Sequence, residues 1–234
     1  HRLTSSGNNL NEFDIRRGLC TSVFGKREIG IFDSTGSTNI EAFRLASSGS
    51  PEGSIVLADR QDSGKGRLGR SWSSPSGNNI YLSIIARPEI PTPLAPRLTL
   101  VTAAALSDTL TEAGITEHRI KWPNDILVKE KKISGILTEM KGDTDSIEFI
   151  IIGIGINVNS APEDYPSELR ETVTSLRMIL DRYTERNGLI RMLLTNFEKY
   201  YNLFLKGEFS TILERWKERA GIITGSYMKV FNQY

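Results

Sequence analysis

The stretch from Ile147 to Ile156 constrains the fold more than any other part of the chain, because it is almost entirely apolar. It is far shorter than the roughly 20 apolar residues that span a bilayer, and it is rich in isoleucine, which favours strands. The stretch therefore predicts a β-strand with both faces buried. A chain of 234 residues is long enough for one large domain, or for one domain plus a fragment of another.

The elements predicted around this strand do not alternate regularly. Six further runs are β-type: Glu28 to Phe32, Ser54 to Ala58, Asn79 to Ala86, Arg119 to Trp122, Ile126 to Val128 and Ile133 to Met140. Helical patterns cover Ile15 to Phe24, Thr38 to Gly49, Leu98 to Ala113 and Ser167 to Ala220. This order favours an α+β fold with a mixed, largely antiparallel central sheet and helices packed on one face.

Composition and charge exclude several classes of function. A net charge of +1 gives no global field for nucleic acid or membranes. Cys20 is the one cysteine and His1 and His118 are the only histidines, so a disulfide, a Cys-rich zinc site and a Ser-His-Asp triad are disfavoured. We interpret Cys20 as a small apolar residue on a helix. Without a signal peptide or a membrane-spanning run, the cytoplasm is the expected location and no membrane partner is expected.

Glycines and cations alternate in the segment from Gln61 to Trp72, which reads QDSGKGRLGRSW. Glycine lets backbone N–H groups approach an anion, arginine offers a planar fork to phosphate or carboxylate oxygens, and tryptophan offers a face to a purine or an apolar ring. The segment is typical of a loop that wraps an anionic nucleotide, although a solvated basic turn has the same composition. It lacks the spacing of a Walker loop or of a dinucleotide fingerprint.

Two other segments can bring chemistry to that loop. The string Lys121-Trp122-Pro123-Asn124-Asp125 fixes one lysine beside a rigid turn. It indicates either a reaction centre that uses this charge or only a tight turn. The glycines of Gly153-Ile154-Gly155-Ile156-Asn157 indicate either a ligand lying on the strand or close packing of a helix against it.

Together these segments resemble the motifs of the biotin protein ligase family. The matching pieces stand in the family's order and at similar spacing: Ser37-Thr38-Asn39, Gln61 to Trp72, Lys121 to Asp125, Gly135 to Glu139 and Gly153 to Asn157. The resemblance is strong over residues 27–160 and weak in the helical tail. It implies a catalytic domain with a class II synthetase-like fold.

The resemblance also implies roles for single residues. Lys121 and Arg67 are the expected catalytic residues. The expected contacts to biotin are Ser37, Thr38, Asn39, Gln61, Gly64, Lys65, Gly66, Arg67, Lys121, Gly135 and Gly155. The expected contacts to ATP or the adenylate are Arg67, Arg70, Trp72, Lys121, Asn124 and Asn157. Lys65 stands where the family usually has arginine, and the lost bidentate fork weakens a carboxylate clamp by about 1–2 kcal/mol.

The implied activity is that of an ATP-dependent ligase. Biotin and ATP would give biotinyl-5′-AMP and pyrophosphate, with Mg²⁺ accompanying ATP and no metal site formed by the protein alone. Biotin would then pass to a lysine of a biotin carboxyl carrier protein. A lipoate-type protein ligase and a ligand-sensing transcriptional regulator without ligase activity are the alternatives.

The resemblance divides the chain into three regions. Residues 1–26 are expected to be a linker and short helix after a winged-helix domain outside this chain, through which a biotin-operon repressor would bind DNA. Residues 27–222 are expected to form the catalytic domain, and residues 223–234 the beginning of a truncated SH3-like domain. A homodimer is a further expected assembly. The loop from Gly64 to Arg70 is expected to be mobile without ligand and ordered with it.

Overall fold

A computed structural model of the protein describes residues 9–220. The linker before residue 9 and the SH3-like segment predicted from residue 223 lie outside these described residues. No α-helix between residues 9 and 220 is both long and apolar enough to cross a bilayer.

A single sheet forms the centre of the described chain. Its strands are β1 (Ile29–Phe32), β2 (Ile55–Ala58), β3 (Ile80–Ala86), β4 (Arg119–Lys121), β5 (Asp125–Val128), β6 (Lys131–Gly142) and β7 (Ile147–Ile156). They lie in the order β1-β2-β3-β7-β6-β5-β4. The pair β1–β2 is parallel and the other pairs are antiparallel. The predicted mixed, largely antiparallel sheet is confirmed, and β7, the apolar run, is its central strand.

Helices cover the sheet on both faces, but unequally. The helices between residues 9 and 220 are α1 (Glu12–Arg16), α2 (Thr38–Ser47), α3 (Arg97–Glu112), α4 (Leu176–Leu180), α5 (Arg186–Leu205) and α6 (Phe209–Ala220). The main core joins α3, α5 and α6 to alternate strand residues such as Ile84, Ile152 and Ile154. Burying each such aliphatic side chain contributes about 1.5–3 kcal/mol.

Helix α2 lies on the face opposite the main core. Ala42 and Ala46 pack with Ile85, Phe149 and Ile151, which alternate along β3 and β7 with the residues of the main core. Most helical residues therefore lie on one face of the sheet, as predicted, whereas α2 lies on the other face. This placement brings the N-terminus of α2 against the middle of the sheet.

The helix predicted from Ile15 to Phe24 is wrong in its bounds. Helix α1 ends at Arg16, and Gly18 follows with φ 80°, a left-handed conformation that ends a helix. The backbone N–H groups of residues 22–24 donate instead to the Glu198 carboxylate of α5, at 2.5 to 3.0 Å. A long-range carboxylate therefore replaces helical hydrogen bonds that the local sequence favours.

Two other helical expectations also need correction. Cys20 is exposed and lies outside the helices of the described chain, so it is not a buried helical residue. The helical pattern from Ser167 begins only at Leu176, after the Ser175 side chain accepts a hydrogen bond from the Met178 N–H. It is broken again at Asp181, which has φ 51°.

Candidate functional site

The floor of the site is a part of the sheet that carries almost no side chains. Tyr81 on β3 pairs with Gly155 on β7, and Gly155 pairs with Gly135 on β6. Ser83 pairs with Gly153 in the adjacent row. Because side chains alternate along a strand, these positions face α2 rather than the main core. They leave a cavity of about 50 Å³ beside the N-terminus of α2.

A chain of hydrogen bonds forms the polar wall of this cavity. Thr38 N–H donates to Gln61 Oε1 at 2.9 Å, and the Thr38 hydroxyl lies 3.2 Å from the same oxygen. Gln61 Nε2 donates to Ser74 Oγ at 2.9 Å. Ser83 Oγ lies 2.8 Å from Thr38 Oγ1 and 2.6 Å from Asn39 Oδ1. The wall therefore joins α2 to the strand and to the start of the basic loop.

Trp72 covers the glycine floor. A Cβ atom would come within 2.5 Å of the indole if added to Gly155 and within 2.8 Å if added to Gly135. The Lys132 ammonium lies 4.9 Å from the indole centroid and 2.7 Å from Asp125 Oδ1. The indole Nε1 is buried and has no hydrogen-bond partner within residues 9–220. A bound acceptor could therefore use this N–H.

The basic loop is tied together by backbone hydrogen bonds and leaves its cations exposed. Gly66 N–H donates to the Arg70 carbonyl at 2.7 Å, and Lys65 forms an isolated β-bridge with Ser71. The guanidinium of Arg67 reaches Asn124 Oδ1 at 3.4 Å. The loop thus crosses from the end of β2 to the turn between β4 and β5, with its positive charges at the rim of the cavity.

Most residues selected from the sequence line this cavity. These are Ser37, Thr38, Asn39, Gln61, Lys65, Gly66, Arg67, Trp72, Asn124, Gly135 and Gly155. Gly64 and Arg70 line a neighbouring depression instead, which the loop forms with Leu137 and Glu139. Asn157 follows β7, where its Nδ2 donates to the Lys132 carbonyl at 3.3 Å and its buried Oδ1 has no partner within residues 9–220.

Lys121 is the selected residue that lies farthest from the glycine floor. It pairs with Asp125, which pairs with Gly135, so Lys121 is two strands from the floor. Its side chain is exposed and makes no ion pair with the residues that the structure describes. The lysines that line the cavity are Lys65 and Lys132, and Lys132 is the one beside the glycine floor.

Lys132 was missed because a bulge determines which way it points. Ile126 pairs with Ser134 and Leu127 with Lys132, so Ile133 is an extra residue on β6. A bulge reverses the alternation of faces. Lys132 therefore lies on the side of Gly135, although strict alternation would place it on the other side. In the sequence it reads as part of a hairpin turn.

Tyr81 and Ser83 were also missed, since both lie within an apolar strand. Ser83 was the detectable signal, because a lone hydroxyl in a fully buried strand needs a hydrogen-bond partner. Burial raises the pKa of Tyr81 well above its usual range. Its hydroxyl therefore stays protonated and donates to the Pro75 carbonyl at 2.9 Å, which supports the chain behind Trp72.

An ion pair between buried Arg186 and partly exposed Asp59 supports the site at the end of β2 from which the basic loop begins. Arg186, at the start of α5, is 1% exposed and donates to Asp59 Oδ1 at 2.8 Å and to the Asn79 carbonyl at 2.9 Å. Burial opposes ionisation of Asp59, but hydrogen bonds from Ser76 and Arg186, the positive charge of Arg186 and the Gly77 N–H outweigh it. The pKa of Asp59 is therefore below its usual range.

No cluster of three or more His, Cys, Asp or Glu side chains suited to a metal ion occurs between residues 9 and 220.

The sequence model of the biotin/lipoate A/B protein ligase family matches residues 31–157. The chain belongs to this family. The expected relationship to biotin protein ligases is thereby confirmed, and the matched residues include the glycine floor, the polar wall and the basic loop.

Individual relatives of this family member are similar over most of its length. The bifunctional ligase/repressor BirA of Bacillus subtilis is 42% identical over 233 residues, which are 99% of this chain and 71% of the relative. The biotin–[acetyl-CoA-carboxylase] ligase of Mycobacterium tuberculosis is 32% identical over 194 residues, which are 81% of this chain and 70% of the relative. A biotin protein ligase from Aquifex aeolicus, solved with biotin and ATP, superposes with a TM-score of 0.71 at 30% sequence identity. The superposition covers 82% of this chain and 78% of the Aquifex chain. The expected ligase fold is confirmed.

Proposed function

We propose that this chain is an ATP-dependent biotin protein ligase. The observation that carries the proposal is the arrangement of one cavity, which has a side-chain-free floor, a hydrogen-bonding wall at one end and cations at its rim. A small acid with a flat polar ring and an apolar body suits such a cavity, because its carboxylate would emerge at the positive rim. The biotin ligases among the relatives support the same substrate.

In the first step a carboxylate oxygen of biotin attacks the α-phosphorus of ATP. A new C–O–P bond forms, the bond to the β-phosphate oxygen breaks, and pyrophosphate leaves with those electrons. Two anions must meet, so positive charge has to be in place before reaction. We assign Lys132 to the junction of carboxylate and α-phosphate, because Asp125 holds its ammonium group in the cavity. Arg67 and Lys65 act from the rim.

Lys121 receives a different proposed position from the one expected from the sequence. Neighbouring strands are about 4.8 Å apart, so Lys121, two strands from Gly135, lies roughly 10 Å from the floor. A lysine side chain at that distance reaches the outer phosphates of an extended nucleotide more readily than the reacting carboxylate. We therefore propose that Lys121 binds the leaving pyrophosphate.

The nucleotide would extend from the cavity toward Asn157. Its buried Oδ1 has no partner within residues 9–220, so it fits a ligand donor or a cation carried by the nucleotide. Mg²⁺, when bound with ATP, would shield phosphate charge. Trp72 covers the glycine floor, and Arg70 lines the neighbouring depression formed by the basic loop. Both residues, expected from the sequence to contact the adenylate, remain proposed contacts.

In the second step the amine of an acceptor lysine attacks the acyl carbon of biotinyl-5′-AMP. An amide bond forms, the bond to the phosphate oxygen breaks, AMP leaves and the amine loses a proton. A free lysine with a pKa near 10.4 is neutral in only about one molecule in 2,500 at pH 7. Docking of the carrier protein therefore has to contribute orientation and desolvation.

The partners and the domain bounds belong to the same proposal. The acceptor is a biotin carboxyl carrier protein, and residues 27–222 form the catalytic domain. The relatives named as bifunctional ligase/repressors support DNA as a further partner of the whole protein. Homodimer formation and a cytoplasmic location complete the proposal.

Pyrophosphate exchange tests the proposed activity. Radiolabelled pyrophosphate should be incorporated into ATP when biotin is present and not when lipoate replaces it. Transfer is then measured by mass spectrometry of a purified biotin carboxyl carrier domain, with a variant whose acceptor lysine is replaced by arginine as the control. Exchange that depends on lipoate but not on biotin would overturn the proposal.

A further inference from the structure

The polar wall has a hydrogen-bond direction, and that direction begins at Glu139. Asn39 Nδ2 donates to Glu139 Oε2 at 2.7 Å and to the Leu137 carbonyl at 3.3 Å, so both amide protons are used. A carboxylate only accepts hydrogen bonds, so it determines which end of the Asn39 amide is the nitrogen. Asn39 Oδ1 must then face Ser83.

The hydroxyl groups of Ser83 and Thr38 continue the hydrogen-bond direction that Glu139 and Asn39 establish. Asn39 Oδ1 can only accept, so the single proton of Ser83 Oγ, 2.6 Å away, is directed to it. The Thr38 hydroxyl donates to Gln61 Oε1 at 3.2 Å, and Ser83 Oγ lies 2.8 Å from Thr38 Oγ1. The Thr38 proton therefore ends on the protein, and Thr38 presents oxygen lone pairs to the cavity.

Space for this chain exists because Gly153 lacks a side chain. A Cβ atom at Gly153 would lie 2.1 Å from Asn39 Oδ1. Asn39 and Ser83 are 4% and 0% exposed, so water competes little for their hydrogen bonds. The direction of the chain is thus a property of the folded protein.

We propose that Glu139 is a positioning residue that makes Thr38 Oγ1 an acceptor for a ligand N–H group. The proposal rests on biotin as the ligand, because the ureido ring of biotin carries two N–H donors. An acid whose ring has no N–H group, such as lipoate, offers nothing for this wall to accept. Glu139 therefore contributes to the choice of substrate without touching it.

Binding of biotin and of two cyclic carbamates, in each of which oxygen replaces one ureido N–H, tests the proposal by calorimetry. The wild-type protein should bind one carbamate about 100-fold more weakly than biotin, since two acceptors then face each other. In Glu139→Leu the Asn39 amide keeps only its longer hydrogen bond to the Leu137 carbonyl, so its orientation is held less firmly and the Thr38 hydroxyl can turn toward the ring oxygen. The ratio of the dissociation constant of this carbamate to that of biotin should then fall about tenfold or more.

Two further variants, Glu139→Gln and Asn39→Ala, distinguish a positioning role of Glu139 from a general loss of structure. Glu139→Gln keeps an oxygen that accepts from Asn39, so the ratio should stay within about threefold of wild type. Asn39→Ala removes the acceptor of Ser83 and should lower the ratio as Glu139→Leu does. Asn39→Ala decides the matter if thermal melting shows that Glu139→Leu does not fold.

Three results would each count against a specific part. Equal weakening of biotin and carbamate in both broken-chain variants, with the ratio unchanged, would overturn the positioning role. A wild-type protein that binds biotin and both carbamates equally would overturn the acceptor wall but leave the ligase proposal standing. A wild-type protein that does not bind biotin would overturn the ligase proposal itself.

Discussion

Lys132 and Lys121 carry the same charge in different surroundings. The ammonium group of Lys132 is paired with Asp125 and lies beside Trp72, whereas Lys121 ends β4 and is exposed. A cation accelerates a step only if it is in place where charge develops. The position of each side chain, more than its identity, therefore predicts its effect on the reaction.

Exchange kinetics should separate these two lysines. Lys132→Ala should lower the turnover number for biotin-dependent pyrophosphate exchange by about 100-fold or more, because it removes charge from the reacting centre. Lys121→Ala should mainly raise the KM for ATP. Lys131→Ala serves as the control, since Lys131 pairs with exposed Glu171. Loss of exchange in Lys121→Ala but not in Lys132→Ala would restore the assignment expected from the sequence.

Glycine at position 155 should be needed for ligand binding. In Gly155→Ala the new methyl group meets the Trp72 ring at 2.5 Å, so the indole must move and the floor loses its flat surface. Biotin affinity should fall about 100-fold or more, as measured by calorimetry. Gly30→Ala on β1 is the matched control, because its Cβ would meet no atom closer than 3.5 Å. Equal affinities of the two variants would contradict the proposed floor.

At the scale of elements, hydrophobic patterns indicated the strands well and the site less completely. The apolar run of β7 and the glycines within it were visible because burial requires apolar residues and a floor requires glycine. The bulge at Ile133 was not visible, since a single inserted residue leaves no mark on composition but reverses the direction of Lys132. The carboxylate of Glu198 that holds residues 22–24 was equally hidden, because it comes from a distant helix.

The basic loop should change its accessibility when ligands bind. Its cations are exposed, and it borders the cavity of about 50 Å³ beside Trp72. We expect the loop to open when a bicyclic acid enters and to close over the acid once it is bound.

Limited proteolysis measures this movement. Trypsin should cleave at Lys65, Arg67 and Arg70 in the free protein, and biotin with ATP should slow this cleavage about tenfold or more. Cleavage at Lys129, in the β5–β6 turn, is the internal control and should keep its rate. Equal rates at the loop with and without ligands would contradict a closing loop.

At the scale of the whole molecule, one buried ion pair joins three elements. Arg186 connects the N-terminus of α5 to Asp59 after β2 and to the Asn79 carbonyl before β3. Gln61 of the polar wall is two residues from Asp59. The ion pair therefore fixes the position of α5 relative to the residues beside the ligand cavity.

This pair should make stability depend on acid. The pKa of Asp59 is lower in the folded protein than the roughly 3.9 of an unfolded chain. The stabilisation is therefore fully present above about pH 4 and is lost as the pH falls through the folded-state pKa. Asp59→Asn should cost about 3 kcal/mol at pH 7 in urea unfolding, because it removes the negative charge that pairs with buried Arg186.

The pH series distinguishes this pair from an ordinary surface contact. The difference in unfolding free energy between wild type and Asp59→Asn should shrink below about pH 4. Glu171→Gln removes the exposed partner of Lys131 and should change stability little at any pH. A difference that stays constant from pH 7 to pH 3 would contradict the titration of Asp59.

The bare floor formed by Gly135, Gly153 and Gly155 has a thermodynamic consequence for the free protein. In the free protein Trp72 covers Gly135 and Gly155, and Asn39 fills the space at Gly153, so the substrate adds its contacts along the rest of the cavity. Biotin at about 100 times its dissociation constant should add about 2.7 kcal/mol to the unfolding free energy. For a chain of this size that corresponds to a rise in Tm of about 5–10 °C. The rise in Tm therefore measures how well a candidate acid fits the cavity.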